Sequence, residues 1–230
     1  MINLIYEKSE DYPLRETGLT DVGYNKPVVV VTRVFFRGLF EGDPFWPNLG
    51  EKLRNIAPSG RPLKIKSVGC SSGEEVYSIA MEARSAGVSA EITGLDVLAT
   101  NIQLANAGLY PIDDELDKDF LMTIPSAHHQ YFFKEGPKYR IDPSIRAMVT
   151  FGSSDLRTAA PDDLRADLIV CRRLFDHFTP AMRETTFAVF KEAAKHVHVA
   201  YVKEERYGDP AVPPTGFGPC VEPSFLGNFY

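Results

Sequence analysis

Alternating runs of apolar and polar residues divide the middle of the chain into strands and helices. The runs that predict strands lie at 63–68, 90–95, 138–141, 148–151, 166–171 and 196–203. Apolar residues spaced three and four apart predict helices at 49–56, 74–86 and 98–107, and a further helix after Thr179. Strands that alternate with helices are typical of an α/β protein with a mostly parallel sheet, here of about seven strands flanked by helices.

The two ends of the chain give weaker patterns. Residues 27–34 form a β-branched run, and residues 113–122 include a helical piece. From residue 208 onward the chain is rich in Pro and Gly, with one possible last strand at 224–230. We therefore expect an N-terminal extension over residues 1–30 and a single domain over residues 31–230.

The turn after the first predicted strand carries the strongest chemical signal. Residues 69–75 read Gly-Cys-Ser-Ser-Gly-Glu-Glu, and the next strand ends in Asp96. Gly69 and Gly73 can adopt positive φ and let the backbone approach a ligand closely. A glycine turn followed about twenty residues later by an acidic strand end is the pattern with which a βαβ unit binds a nucleoside.

Glu74 indicates which nucleoside cofactor this is. A helix N-terminus attracts anions, so an acidic residue there disfavours a phosphate group. Glu74 suits an ammonium group instead, and Asp96 would bind ribose hydroxyls. Together they favour S-adenosylmethionine over a dinucleotide. The alternative is an ordinary strand–turn–helix with capping serines and a solvated pair of glutamates.

Composition and charge limit the partners. The chain has 25 Lys and Arg against 31 Asp and Glu, a formal net charge of -6. Because nucleic-acid surfaces need clustered basic residues, and no basic run exceeds Arg172-Arg173, no nucleic acid is expected. No apolar run approaches the roughly 20 residues of a membrane span, and the first eight residues do not resemble a signal peptide. We expect a cytoplasmic protein without a membrane partner.

The cysteines and histidines do not suggest a metal site. Cys70, Cys171 and Cys220 form no CxxC pair, and the first two fall at strand ends, where buried free thiols are expected. His128 and His129 are adjacent and would point apart in regular structure, so we expect them to be exposed to solvent rather than to bind a metal.

Residues 68–80 closely resemble the cofactor motif of the CheR-type methyltransferases, which methylate glutamate side chains of chemotaxis receptors. Further stretches match that family in the same order, and the resemblance covers about residues 30–205. These stretches are Phe35-Phe36-Arg37, Gly94-Leu95-Asp96, Tyr131-Phe132-Phe133, Tyr139-Arg140-Ile141, Val149-Thr150-Phe151 and the segment 167–172. The resemblance implies a class I, Rossmann-like methyltransferase fold that binds S-adenosylmethionine, with in-line displacement at the sulfonium methyl group.

The resemblance also assigns roles to individual residues. Glu74 is expected at the methionyl part of the cofactor, Asp96 at the ribose, and Asp155 with Leu156 near the adenine. Arg37 is expected beside both the cofactor and the methyl acceptor, as a catalytic candidate. The remaining residues assigned to the cofactor site are Gly69, Cys70, Ser71, Gly73, Arg173 and Leu174.

Several positions depart from the family pattern. Arg33 replaces a threonine, and we include it in the cofactor site because it could clamp a carboxylate together with Arg37. Asp155 and Arg173 both replace asparagines, and their opposite charges suggest an ion pair across the pocket. His177 replaces a tyrosine after the fourth strand, where it could act as a general base or simply cap a helix.

The acceptor is the least determined part of the prediction. From the sequence we expect the N-terminal helical domain that engages receptors in this family to be missing or reduced to about 30 residues. We therefore expect an S-adenosylmethionine-dependent methyltransferase whose acceptor is a small molecule with carboxylate or amine groups. The alternatives are a CheR-type protein glutamate O-methyltransferase, a cofactor-binding protein without methyl transfer, and an enzyme that uses the cofactor's aminocarboxypropyl arm. The oligomeric state is left open.

Overall fold

Eight strands and five helices make up the part of the chain that the computed structural model describes, which is residues 46, 48–111, 124, 126–172, 174–175 and 178–200. The strands are β1 (Leu63–Val68), β2 (Ala90–Asp96), β3 (Leu109–Pro111), β4 (Phe132–Glu135), β5 (Lys138–Ile141), β6 (Val149–Ser153), β7 (Ala166–Arg172) and β8 (Ala194–Ala200). The helices are α1 (Leu49–Ile56), α2 (Glu74–Ser85), α3 (Ala99–Ala107), α4 (Pro143–Arg146) and α5 (Pro180–Ala193), with 3-10 turns at Ser126–Tyr131 and Pro161–Leu164.

Five of these strands form a parallel sheet in the order β6-β2-β1-β7-β8. The chain runs outward from β1 through β2 to β6, and then crosses back to β7 and β8. The direction of winding therefore reverses between β1 and β7, and in open α/β sheets ligands bind in the crevice at such a reversal, beyond the carboxyl ends of the strands. This sheet and its helices confirm the predicted α/β fold.

Side chains on the two faces of the sheet enter two separate apolar clusters. Leu63 and Ile65 of β1 point toward α2 and pack with Val76 and Ile79. Val68 points the opposite way, into a cluster that includes Phe190 of α5. Thr179 begins α5 as predicted, because its hydroxyl accepts a hydrogen bond from the backbone N–H of Met182 at 3.3 Å.

A second, antiparallel sheet differs from the prediction of one sheet with about seven strands. It contains β3, β5 and β4 in that order. Strands β4 and β5 form a hairpin whose two-residue turn contains Gly136 at φ +57. Strands of three and four residues are too short to show a clear period, which explains why β3 and β4 were not predicted.

Some predicted elements lie outside the described residues, namely the strand at 27–34, the helical piece at 113–122 and the last strand at 224–230. No helix in the described part of the chain is long and apolar enough to cross a membrane.

His128 is buried, and the expectation that it faces solvent is wrong. Its side chain is only 2 % exposed, because the 3-10 turn at Ser126–Tyr131 packs against α2. Its Nε2 lies 3.3 Å from Oε1 of Glu82 on that helix. This contact connects the segment that carries the antiparallel sheet to α2, the helix that packs on the parallel sheet.

Acid is expected to weaken the fold through His128. Burial lowers the pKa of His128 from 6.5 to about 4, and the neighbouring His129 adds to the shift. Between these two pH values the unfolded chain binds a proton that the folded chain does not. The free energy of unfolding therefore falls as the pH drops through this window, by at most about 3 kcal/mol. The carboxylate of Glu82 favours the protonated ring and reduces the loss.

Urea unfolding at pH 7 and pH 4.5 measures this effect. His128→Gln should show a much shallower pH dependence than the wild-type chain, whereas His129→Gln should lose only the smaller part that His129 adds to the pKa shift of His128. Equal dependences in the wild-type chain and His128→Gln would show that His128 is not the responsible group.

Candidate functional site

The turn between β1 and α2 lies directly over the end of β2. The backbone N–H groups of Gly69 and Cys70 both donate to the carbonyl of Leu95, at 2.8 and 3.0 Å. Gly69 has φ +75, and a Cβ atom there would lie 2.9 Å from Cδ2 of Leu174. The positive φ favours glycine at this position, where Leu174 of the segment after β7 lies against the turn. Ser71 also adopts a left-handed conformation, with φ +49.

Asp96, at the end of β2, is held in one orientation by three donors. Its Oδ2 accepts from the backbone N–H of Ser71 at 2.9 Å. Its Oδ1 accepts from the backbone N–H of Leu98 at 3.0 Å and from Nδ2 of Asn101 at 3.2 Å. Burial raises the pKa of Asp96, and these hydrogen bonds oppose the shift. The carboxylate lies at the carboxyl edge of the sheet, where a strand-end acid can bind ribose hydroxyls.

Glu74, the first residue of α2, is buried at 4 % exposure. The hydroxyl of Ser72 hydrogen-bonds its carboxylate, with O–O distances of 2.8 and 2.7 Å. The Ser72 carbonyl in turn accepts from the hydroxyl of Tyr110 at 2.8 Å. Gly73, the N-cap residue, provides no side-chain cap, so the alternative of capping serines and a solvated glutamate pair is wrong. A buried carboxylate in this position is suited to a cationic group.

Glu75 and Arg172 form a buried ion pair that sequence analysis missed. Oε2 of Glu75 accepts from Nη1 of Arg172 at 2.9 Å, and its Oε1 accepts from the hydroxyl of Ser67 at 2.8 Å. The guanidinium carbon lies 5.2 Å from the ring centroid of Trp46. Glu75 and Arg172 both lie in stretches that resemble the family's motifs. The sequence alone does not show that the start of α2 contacts the end of β7.

Cys70 and Cys171 are buried free thiols, as predicted, and Cys220 lies outside the described residues. Burial raises the pKa of Cys70 well above its ordinary value, and the carboxylates of Asp96, Glu75 and Glu74 add to the shift. The thiolate is the nucleophilic form of cysteine. The raised pKa of Cys70 therefore favours the neutral thiol over the thiolate.

Asp155 forms an ion pair with Arg157 that the sequence did not predict. Its carboxylate accepts from Nε of Arg157 at 2.9 and 3.0 Å and from the backbone N–H of the same residue at 2.9 Å. These hydrogen bonds lower the pKa of Asp155. The neighbouring Leu156 packs against the same apolar cluster as Leu174. Because Arg173 lies outside the described residues, the ion pair expected between Asp155 and Arg173 stays a prediction.

The remaining predicted site residues are Arg33, Arg37, Arg173 and His177, and all four lie outside the described residues. Their roles stay predictions. The structure brings together Gly69, Ser71, Glu74 and Asp96 at one edge of the sheet and adds Asn101, which no sequence signal identified. Among the described residues there is no group of three His, Cys, Asp or Glu side chains that could hold a metal ion.

The strand order, the glycine turn after β1 and the acidic end of β2 define a class I, Rossmann-like fold of the methyltransferase type. Residues 32–202 match the family model described as CheR methyltransferase, SAM binding domain. The match extends over well more than half of the chain, which therefore belongs to the CheR methyltransferase family. The cofactor of this domain is S-adenosylmethionine.

Curated relatives carry the name chemotaxis protein methyltransferase. The protein from Listeria monocytogenes is 30% identical over 160 residues, which is 68% of this chain and 59% of the relative. The protein from Vibrio parahaemolyticus is 29% identical over 148 residues, 61% of this chain and 52% of the relative. The chain thus spans somewhat more than half of their length. A solved TehB-like SAM-dependent methyltransferase from Corynebacterium glutamicum has a TM-score of 0.40 and 13% identity, covering 73% of this chain and 62% of that one.

S-adenosylmethionine fits the hydrogen-bond acceptors that the site presents. The cofactor carries an ammonium group, a sulfonium and ribose hydroxyls, and the buried carboxylates of Glu74 and Asp96 are acceptors for such groups. Beside Asp96, Oδ1 of Asn101 is buried without a hydrogen-bond partner among the described residues, which leaves a further acceptor for a hydroxyl.

Proposed function

We propose that this chain transfers the methyl group of S-adenosylmethionine to the carboxylate of a glutamate side chain in a chemotaxis receptor. The match of residues 32–202 to the CheR methyltransferase family carries the proposal. The relatives named chemotaxis protein methyltransferase favour this acceptor over the small molecule first expected. That expectation relied on differences at the acceptor-side residues and on a short N-terminal segment. The length of this segment carries no weight, because the chain spans 59% and 52% of these relatives.

The proposed chemistry needs positioning more than acid–base catalysis. S-adenosylmethionine supplies an activated methyl group on a sulfonium. Glu74 would bind the ammonium group and Asp96 the ribose, which fixes the direction of the methyl group along the crevice. A glutamate carboxylate is ionised at neutral pH, so it attacks without a general base. Holding both reactants in line then supplies much of the rate enhancement. Arg37 would orient the acceptor carboxylate, and His177 needs no role as a base.

A labelling experiment tests this function. The chain is incubated with S-adenosylmethionine labelled in the methyl group and with the purified cytoplasmic domain of a chemotaxis receptor from the same genome. We expect protein-bound label that mild base releases as methanol, because methyl esters hydrolyse in base whereas N-methyl groups do not. The Asp96→Asn variant serves as the negative control.

Other outcomes would contradict the proposal. Base-stable label would indicate an amine acceptor. If label appears only in small acids or amines added to the same reaction, the methyl acceptor is a small molecule and not a receptor. Binding of S-adenosylmethionine without any transfer to these acceptors would favour a cofactor-binding protein.

A further inference from the structure

Two different parts of the fold hold the turn between β1 and α2 from outside. On one side, Oδ2 of Asp96 at the end of β2 accepts from the backbone N–H of Ser71 at 2.9 Å. On the other side, the hydroxyl of Tyr110 donates to the carbonyl of Ser72 at 2.8 Å. Tyr110 belongs to β3, a strand of the antiparallel sheet and not of the parallel sheet. The second sheet therefore contacts the turn directly.

The contact with Ser72 lies where the backbone of the turn needs support. Ser71 has φ +49 and Gly73 has φ +95, so both neighbours of Ser72 are left-handed. A left-handed serine is unfavourable and persists only when the surrounding contacts fix it. Tyr110 is buried and packs edge to face on Tyr77 of α2, with ring centroids 6.3 Å apart. Its hydroxyl therefore holds the Ser72 carbonyl in one direction.

Ser72 connects this contact to Glu74. The Ser72 hydroxyl hydrogen-bonds the Glu74 carboxylate at 2.8 and 2.7 Å, and both side chains are buried. A rotation of the Ser72 backbone would move this hydroxyl and would disturb the carboxylate with it. The acid proposed to bind the ammonium group of the cofactor is therefore linked to β3 by two consecutive hydrogen bonds.

Asp96 has supports that do not involve Tyr110. Its Oδ1 accepts from the backbone N–H of Leu98 and from Nδ2 of Asn101, which lie at the N-cap and in the first turn of α3. Different parts of the fold thus orient the two acids of the site. The end of β2 and the start of α3 hold the acid proposed for the ribose, whereas β3 acts on the acid proposed for the ammonium group.

We propose that Tyr110 is a positioning residue for the amino-acid arm of S-adenosylmethionine. Its hydroxyl fixes Ser72, and Ser72 orients the carboxylate of Glu74 toward the ammonium group. This inference rests on the proposed function, in which Glu74 binds that ammonium group. Loss of the Tyr110 hydroxyl should weaken the binding of the arm and leave the binding of the adenosine part unchanged.

Two ligands separate the arm from the nucleoside. S-adenosylhomocysteine contains the amino-acid arm, whereas methylthioadenosine has the same nucleoside and thioether with a methyl group in place of the arm. Tyr110→Phe keeps the aromatic ring and removes the hydroxyl. We expect the dissociation constant for S-adenosylhomocysteine to rise about fivefold, the order expected when a hydrogen bond to a charged group is weakened but not lost. The dissociation constant for methylthioadenosine should stay at its wild-type value.

Tyr77→Phe is the matched control. Tyr77 is also buried, and its hydroxyl likewise donates to a backbone carbonyl at 2.8 Å, but this carbonyl belongs to Ala105 of α3. The control should bind both ligands as the wild-type chain does. If Tyr110 only stabilised the fold, Tyr110→Phe would bind both ligands normally or would weaken both to the same extent.

Ser72→Ala tests whether the effect passes through the serine. It removes the hydroxyl that contacts Glu74 and keeps the carbonyl that accepts from Tyr110. This variant should also bind S-adenosylhomocysteine more weakly and methylthioadenosine normally. Adding Tyr110→Phe to it should weaken S-adenosylhomocysteine no further, because residues that act through one contact are not additive. Additive losses would contradict the proposed route through Ser72.

Titration calorimetry on variants shown to be folded by circular dichroism decides the outcome, with weak binding of methylthioadenosine measured by competition against S-adenosylhomocysteine. An unchanged ratio of the two dissociation constants in Tyr110→Phe would overturn this inference and leave the proposed function intact. Should Tyr110→Phe fail to fold, an unchanged ratio in Ser72→Ala would overturn it equally. Absence of binding of S-adenosylhomocysteine to the wild-type chain would instead remove the proposed function, and the inference with it.

Discussion

Asp96→Asn is expected to reduce the affinity for S-adenosylhomocysteine by about a hundredfold or more. The carboxylate of Asp96 is buried and faces the crevice, and the proposed ribose hydroxyls would donate to it. Hydrogen bonds to a charged group contribute about 1.5–3 kcal/mol each, and about 1.4 kcal/mol corresponds to a factor of ten. The asparagine amide keeps the shape but loses the charge and one acceptor. It also places an NH2 group beside either the Ser71 or the Leu98 N–H donor.

Calorimetric titration measures this loss, and Asp142→Asn is the matched control. Asp142 likewise accepts a backbone N–H, that of Ser144 at 2.6 Å, but it caps α4 away from the crevice. The control should bind the ligand as the wild-type chain does. Undiminished binding by a folded Asp96→Asn variant would show that the ribose is bound elsewhere.

The pH dependence of binding provides an independent test of the same residue. Because burial raises the pKa of Asp96, its carboxylate protonates at a higher pH than an exposed aspartate. Affinity should therefore begin to fall earlier on acidification than an ordinary aspartate would allow.

Gly73→Ala is expected to lower the free energy of unfolding by about 2–4 kcal/mol. Gly73 has φ +95, a conformation that costs an L-residue about 1–2 kcal/mol. A Cβ atom there would lie 2.9 Å from Cβ of Ala105 and 3.0 Å from Cζ of Phe151. Forcing a methyl group into such a contact costs about 1–3 kcal/mol more. The turn would shift away from α3 and β6 and displace Glu74 with it.

Gly60→Ala separates the two contributions to this loss. Gly60 has φ +81, but a Cβ atom there would meet nothing within 4 Å. Its substitution should cost only the conformational part, about 1–2 kcal/mol. Urea unfolding of both variants gives the difference directly. Equal losses would mean that the contacts of Gly73 with Ala105 and Phe151 relax without cost, and the turn would be less constrained than the distances indicate.

Sequence patterns predicted the parallel sheet well, because its strands are long runs buried on at least one face. The predicted strand at 63–68 and helix at 74–86 agree closely with Leu63–Val68 and Glu74–Ser85. The glycine turn and Asp96 were located for a similar reason, since both lie within a few residues of a strand end. The spacing of apolar residues and glycines along the chain is enough to locate these strands, the glycine turn and Asp96.

Features that depend on contacts between distant segments were not predictable. Glu75 meets Arg172 across 97 positions of sequence, and His128 meets Glu82 only because a 3-10 turn folds back onto α2. Asn101 reaches Asp96 from the next helix, without any period that marks it. Asp155 pairs with Arg157, two residues away, and no pattern in the sequence indicated this local ion pair.

The two ends of the segment that carries the antiparallel sheet lie side by side. The segment leaves the main domain after Gly108 and returns at Ile141, whose N–H donates to the Gly108 carbonyl at 3.0 Å. A segment with adjacent ends can be exchanged for one of similar end spacing when the replacement keeps its contacts with the host, here that of His128 with Glu82 of α2. Chimeras could therefore receive residues 109–141 from a relative as one cassette. Such a graft must keep a tyrosine at position 110, because its hydroxyl donates a hydrogen bond to the carbonyl of Ser72 in the turn between β1 and α2.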